Sequence, residues 1–340
     1  MFQHIVVPLD GSALAEQALP TAARLARSAG GWVMLLRVVK QPVEYAGGAT
    51  FMIYTPLDTL ERLMKEEEAE ARHYLEGVAA SPVLEGVPTR LEVRTGLATP
   101  MIVSVTESPK IDLIVMSSHG RTGLARWVLG SVAHNVVRSS SVPVLLLREH
   151  GPATAGPHPN VERPLRVLVP LDGTVVAKAA LGAAAQLIAA LAAPGQGAMH
   201  LLRVVKQEAR SGEVPDATTK EECLHKAKLD VQSVTSHLRE GLAAELKLSV
   251  TWSVTLDKDV ASAIISVAEN GEDAEGAGVF GGCDLLALAT HGREGLQRWV
   301  MGSIAERVLN GTRLPLLIVR PHLSEHEVSE AEIQRAEVRS

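Results

Sequence analysis

The sequence is written twice, and that duplication constrains the fold more than anything else in it. "IVVPLDGS" at 5–12 matches "VLVPLDGT" at 167–174, and "LLRVVKQ" at 35–41 recurs letter for letter at 201–207. "SSHGRTGLARWVLGS" at 117–131 returns as "ATHGREGLQRWVMGS" at 289–303, and each copy closes on a matched segment, "PVLLLR" or "PLLIVR". The order is preserved and the spacing only widens, so the chain reads as a duplicated domain with small insertions. Its 340 residues also suit two domains at roughly 150 residues each. The expected organisation is a first domain at 1–148, a linker at 149–164 ("EHGPATAGPHPNVERP"), a second domain at 165–322 and a charged tail at 323–340. The linker reading rests on its Pro, Gly and His content.

Within each copy, strand and helix signals alternate. In the first, "HIVVPL", "WVMLLRVV", "TRLEVRT", "LIVMSS" and "VPVLLLR" are short apolar runs of the kind that parallel strands buried on both faces require. Between them lie the helical patterns "SALAEQALPTAARLARSAG", "LDTLERLMKEEEAEARHYLEGVAA", "PMIVSVTES" and "SVAHNVVRSS". The alternation predicts right-handed crossovers and, in each half, an α/β domain with a doubly wound, five-stranded parallel sheet.

Composition narrows the partners. The formal net charge is −6 and there are no basic runs, which argues against non-specific nucleic-acid binding. "MFQHIVVPLDGS" lacks the basic region and long apolar run of an export signal. The apolar stretch "AALGAAAQLIAALAAPG" at 179–195 is interrupted by Gln186 and reads as too short to span a bilayer. A cytoplasmic protein without a membrane partner is expected. Cys223 and Cys283 show no metal-ligand spacing and read as buried structural thiols.

In open α/β sheets, ligands bind beyond the carboxyl ends of the strands where strand order reverses. Pro8 and Asp10 close the first strand; Met116 and Ser117 end the fourth, followed by His119, Gly120 and Arg121. The second copy supplies Pro170, Asp172, Leu288, Ala289, His291, Gly292 and Arg293 at the matching places. Gly130-Ser131 and Gly302-Ser303 each open a helix, whose unpaired N–H groups and dipole favour an anion. Ser131 reads as either a cap for its helix or a hydroxyl donor to a phosphate oxygen. A strand-end carboxylate such as Asp10 accepts from a ribose hydroxyl or a base amine, unless it serves only as a helix cap. Val38 and Met116 supply apolar walls for a flat base. Together these describe a nucleotide pocket, although the chain has no Walker-type GxxxxGK[ST] and no GxGxxG after the first strand.

The combination resembles a tandem universal stress protein, each domain being similar to the adenine-nucleotide-binding α/β sandwich. That family's motif is Gly, two residues, Gly, nine residues, Gly, then Ser or Thr. Here it reads Ser117, Gly120, Gly130, Ser131 in the first copy and Ala289, Gly292, Gly302, Ser303 in the second, with small side chains in place of the leading Gly. The resemblance covers 2–148 and 165–320. It implies that Asp10 and Val38 hold ribose and adenine while Gly120, Gly130, Ser131 and the Val132 backbone hold phosphates. By the same matching, Asp172, Val204, Gly292, Gly302, Ser303 and Ile304 form a second site. It implies ATP or AMP as ligand, with Mg²⁺ carried by the nucleotide phosphates. It also implies pairing through the last strand, as an intramolecular pseudo-dimer of the two domains or a homodimer. The expected function is regulatory, with an unknown protein partner that reads the nucleotide state. No strong catalysis is expected. The alternatives are a nucleotide-free scaffold of the same fold and a weak ATPase; against the latter, no P-loop-like lysine or Mg²⁺ carboxylate pair stands out.

The copies differ near the third helix. "VRTGLATP" in the first becomes "VTLDKDVAS" in the second, placing Asp257 and Asp259 where they would repel a phosphate by about 1 kcal/mol or more in a water-excluded site. The second copy also carries "NGEDAEGAGVFGGC", whose glycines read as a mobile loop. The first site is therefore expected to be the stronger.

Overall fold

The structure is a computed structural model that describes residues 2–40, 57–107, 111–118, 129–148, 163–207, 217–290 and 301–321. They fall into two compact units, Phe2–Glu149 and His150–Ser340. The first unit runs β1 (His4–Leu9), α1 (Ala13–Glu16), α2 (Ala18–Ala29), β2 (Trp32–Val39), α3 (Leu57–Ala79), β3 (Thr89–Thr95), α4 (Ala98–Thr106), β4 (Leu113–Ser117), α5 (Ser131–Ser139) and β5 (Val144–Leu147). Its strands are parallel in the order β3-β2-β1-β4-β5. The central strands are buried on both faces, with Ile5, Val6, Val7, Leu113, Ile114, Val115, Leu145 and Leu146 fully enclosed. This is why they read as continuous apolar runs rather than alternating ones.

The second unit repeats the plan with β6 (Leu165–Leu171), α6 (Val175–Lys178), α7 (Ala180–Ala192), β7 (Gly197–Lys206), α8 (Ala217–Glu240), α9 (Leu242–Glu245), β8 (Ser249–Asp257), α10 (Val260–Asn270), β9 (Glu272–Ala274), β10 (Gly278–Phe280), β11 (Leu285–Ala289), α11 (Ser303–Gly311) and β12 (Leu316–Val319). Its parallel order is β8-β7-β6-β11-β12. Both units thus reverse strand order beside their first strand, as the alternation of signals implies.

The first helix of each unit is broken near its start, at Gln17 and at Ala179. Pro20 has no N–H to offer the Glu16 carbonyl, which explains the first break locally. The second occurs without a proline, so the break belongs to the fold. Val175–Ala192 is long and apolar enough to cross a membrane by length and composition, longer than the sequence reading allowed, but over half of it is buried in its own domain. Its enclosed residues, among them Ala184, Ala185, Leu187, Ile188 and Leu191, make it a core helix packed on β6 and β7. Cys283 is buried and its thiol is pushed up to about 12, chiefly by desolvation. Cys223 is exposed, contrary to expectation.

The glycine-rich insertion is not an unstructured loop: β9 and β10 form an antiparallel hairpin. Gly271 opens it at φ +80°, and a Cβ there would stand 1.9 Å from the Phe280 carbonyl oxygen, so only glycine fits. Its anchor is distant in sequence. Thr251, Ser253 and Thr255 alternate along β8; the Ser253 hydroxyl donates to Glu272 Oε1 and Thr255 Oγ1 donates to Oε2 at 3.1 Å. The buried His200 lies between them, with Nε2 3.1 Å from Glu272 and 2.9 Å from Ser253, and Nδ1 2.8 Å from Thr251. Phe280 packs on the imidazole at 4.4 Å. Burial lowers the His200 pKa, with Glu272 opposing. Desolvation raises Glu272, but hydrogen bonds from His200, Ser253 and Thr255 outweigh it and leave the carboxyl below its ordinary value.

Candidate functional site

The crevice begins where β1 and β4 part. They are in register only at Ile5–Leu113 and Val6–Ile114, and β6 and β11 only at Val167–Leu285 and Leu168–Leu286. The His4 carbonyl accepts from Asp112 N at 2.9 Å, so the even-numbered residues of β1 face β4. Pro8 therefore turns its nitrogen toward β4 beyond the last paired residue, where no ladder bond is lost. The Arg166 carbonyl accepts from Asp284 N at 2.8 Å, which gives Pro170 the same place in the second unit. Both prolines lie within their strands. The split is the opening that the strand-order reversal predicts.

Asp10 and Asp172 follow at the strand ends, and neither is the helix cap. The caps are Ser12 and Thr174, whose hydroxyls accept from Ala15 N and Ala177 N at 3.2 Å. Each aspartate supports its cap through one oxygen. Asp10 Oδ1 accepts from Ser12 N at 3.0 Å and Ser12 Oγ at 2.5 Å; Asp172 Oδ1 accepts from Thr174 N at 2.9 Å and Thr174 Oγ1 at 2.5 Å. These are Asx turns, and they fix each carboxylate at the mouth of the crevice. Val38 and Val204 are half-buried at the ends of β2 and β7, while Met116 and Leu288 are core residues at 6% exposure. Ser117 and Ala289 are half-buried at the ends of β4 and β11.

On the other side of the split, β4 is followed by α5 and β11 by α11. Gly130 and Gly302 are the N-caps of these helices, and among the described residues neither helix has a side-chain cap bond. Ser131 and Ser303 are first helical residues and do not cap. Ser131, Val132, Ser303 and Ile304 are exposed there. Leading N–H groups at a helix start, with the positive end of the helix dipole, suit an anion. Gly130 (φ −57°) and Gly302 (φ −61°) have backbone conformations open to any residue, so a glycine's contribution here is a cap without a side chain. Gly130 N donates to the Ser118 carbonyl at 2.9 Å, tying the helix start to the end of β4. His119, Gly120, Arg121, His291, Gly292 and Arg293 lie outside the described residues.

Sequence reasoning passed over two arginines in the repeated "LLRVVKQ". Arg37 Nη1 donates to the Leu9 carbonyl and Arg203 Nη1 to the Leu171 carbonyl, each at 3.3 Å. Both carbonyls immediately precede the site aspartates. The surroundings differ. Beside Arg37, Tyr74 lies 5.5 Å from the guanidinium and donates to Glu16 Oε1 at 2.8 Å. Beside Arg203, Lys178 meets Asp230 at 3.4 Å. Burial raises the Tyr74 pKa, assisted by Glu16, and burial lowers that of Arg203 against the attraction of Asp172 and Asp230. The letter-for-letter repeat was the available signal.

In the second unit, Asp259 caps α10 and accepts from Ser262 N and Oγ. Arg307 Nη2 of α11 reaches it at 2.5 Å. The guanidinium, then Ser262, hold the carboxyl far below the usual range. Asp257 Oδ1 accepts from Asp259 N at 2.8 Å. The Asp259 charge expected to repel a phosphate is thus already paired. Among the described residues, no group of three His, Cys, Asp or Glu is placed to hold a metal.

A family model described as the universal stress protein family matches residues 1–148 and 165–320. A universal stress protein of Methanocaldococcus jannaschii is 31% identical over 149 residues, covering 44% of this chain and 84% of that protein. One from Mycobacterium tuberculosis is 24% identical over 330 residues, covering 94% and 97%, so it matches both copies. The crystal structure of a universal stress protein from Archaeoglobus fulgidus shares the fold, with TM-score 0.56 and 18% identity over 93% of this chain and 98% of that one. The chain therefore belongs to the universal stress protein family and carries two of its domains in tandem.

Proposed function

We propose that each domain binds one adenine nucleotide, ATP or AMP, and that the protein is a stress-response regulator without strong catalysis. The observation that carries this reading is the same arrangement in both copies. A split between the first and fourth strands is flanked by an Asx-turn carboxylate on one side and an uncapped helix N-terminus on the other. The carboxylate suits a ribose hydroxyl, Val38 or Val204 suits the base, and the helix start suits phosphate. By family resemblance, His119, Gly120, Arg121, His291, Gly292 and Arg293 belong to the same nucleotide motif. Mg²⁺ enters on the nucleotide phosphates.

Occupancy is read by a protein partner through the arrangement of the domains, as a pseudo-dimer within the chain or a homodimer. Nucleic acid, membrane and export have no part in this reading, and its setting is the cytoplasm. The test is to denature freshly purified protein and identify released small molecules by mass. Adenine nucleotide near stoichiometry supports the proposal. Its absence, with no thermal shift on adding ATP and Mg²⁺, moves the reading to a nucleotide-free scaffold.

A further inference from the structure

We propose that Arg37 and Arg203 are positioning residues for the sugar-binding carboxylates, each guanidinium fixing the strand-end carbonyl that aims Asp10 or Asp172 into its crevice. This rests on the nucleotide reading above and assigns a role to residues outside the binding motif.

β2 and β7 are interior strands whose neighbouring positions, Leu35, Leu36, Leu201 and Leu202, are wholly buried. An arginine there carries a desolvation cost that an apolar side chain would avoid. Both copies nevertheless retain it and use it identically: Nη1 to Leu9 O and Nη1 to Leu171 O, each at 3.3 Å. The register places Arg37 beside Leu9 and Arg203 beside Leu171, so each guanidinium meets the last strand residue before the turn.

The turn is built around that contact. Gly173 has φ +85°, and a Cβ there would stand 3.4 Å from both Nη1 and Nη2 of Arg203. Gly11, at φ +82°, gives the first turn the same left-handed step. Between strand end and helix cap the backbone is thus held at two points, by the arginine below and by Ser12 or Thr174 above. The aspartate lies between them. Its Oδ1 is committed to the Asx turn; for Asp172, the second oxygen accepts no hydrogen bond among the described residues. Fixing both ends of a three-residue turn limits the directions available to that oxygen.

An ion-pair network does not account for Arg203. Arg203 Nε is buried and without a hydrogen-bond partner, so the side chain is not retained for a saturated ion-pair network. The groups around the two arginines have changed, Glu16 and Tyr74 in one copy and Lys178 and Asp230 in the other, whereas the bond to the strand-end carbonyl has not.

The experiment compares binding of ATP with binding of 2′,3′-dideoxy-ATP, which lacks the ribose hydroxyls, in the full chain stripped of nucleotide. In the wild type, ATP is expected to bind at least about tenfold more tightly, the effect of leaving a hydrogen-bonding site unmatched. The Arg37→Met/Arg203→Met variant is expected to lose most of that ratio, and the Arg37→Lys/Arg203→Lys variant to recover part of it. A merely structural role would lower thermal stability and leave the ratio unchanged, and that result overturns the proposal. Arg37→Gln/Arg203→Gln, which keeps a polar group of lower desolvation cost, supplies the same comparison if the methionine variant does not fold. A wild type that binds ATP with no preference over the dideoxy analogue overturns the positioning role and leaves nucleotide binding standing. A wild type that binds neither overturns both.

Discussion

Arg307 holds the carboxylate of Asp259 at 2.5 Å, tying α11 to the cap of α10. The first domain has no counterpart among the described residues: Leu97, the N-cap of α4, has no side-chain cap bond. Arg307→Gln leaves the Asp259 charge unpaired. Both side chains are exposed, so the melting temperature is expected to move by no more than about 2 °C. Nucleotide affinity at the second site is expected to fall a few-fold at low ionic strength. The difference should shrink near 1 M salt, where the Debye length is about 3 Å. Titration calorimetry at both ionic strengths checks this, and a salt-independent change would contradict it.

Gly130→Glu tests the proposed anion receptor directly. The backbone at Gly130 is open to glutamate, so the domain is expected to fold with a melting temperature close to wild type. The new side chain brings bulk and negative charge to the helix start, and first-site affinity is expected to drop at least about tenfold. A binding isotherm unchanged from wild type would remove the phosphate from this position.

Ser12→Ala and Thr174→Ala separate fold from site. Each removes a helix cap, at about 1 kcal/mol, and also removes the hydroxyl that donates to the aspartate. Both a small loss of stability by denaturant titration and weaker nucleotide binding at the altered domain are expected. Lost stability with unchanged affinity would show that the Asx turn does not aim the carboxylate.

The hairpin anchor predicts a pH dependence. Burial places the folded-state pKa of His200 below its ordinary value near 6.5. As pH falls through that value the unfolded chain takes up the proton first, so stability is fully present above about pH 6.5 and declines below it. The lowered Glu272 pKa acts in the same direction at more acid pH. Thermal melts at about pH 7.5 and about pH 5.5 should show a loss in the wild type that His200→Gln reduces. Equal losses in the two proteins would contradict the anchor.

Much of the fold was legible because its signals are local or repeated. "HIVVPL" and "WVMLLRVV" match β1 and β2 end to end, since a largely enclosed parallel strand is a largely apolar run, broken in β2 by Arg37. The crevice followed from strand order. The rest depends on partners distant in sequence. The glycines of 270–283 suggested a mobile loop, but Glu272 finds His200 and Ser253 across the sheet. "LDGS" contains two residues able to cap a helix, and only the three-dimensional arrangement assigns the cap to Ser12 and the supporting role to Asp10. Arg37 resembled any polar residue in a strand until its bond to Leu9 was visible.

The most direct measurement is equilibrium dialysis of the nucleotide-stripped full chain against labelled ATP with Mg²⁺. Both domains share the strand split and the Asx-turn carboxylate, and the Asp259 charge is paired, so the expected result is saturable binding approaching two nucleotides per chain. An absence of saturable binding up to millimolar ATP would contradict the nucleotide-binding function.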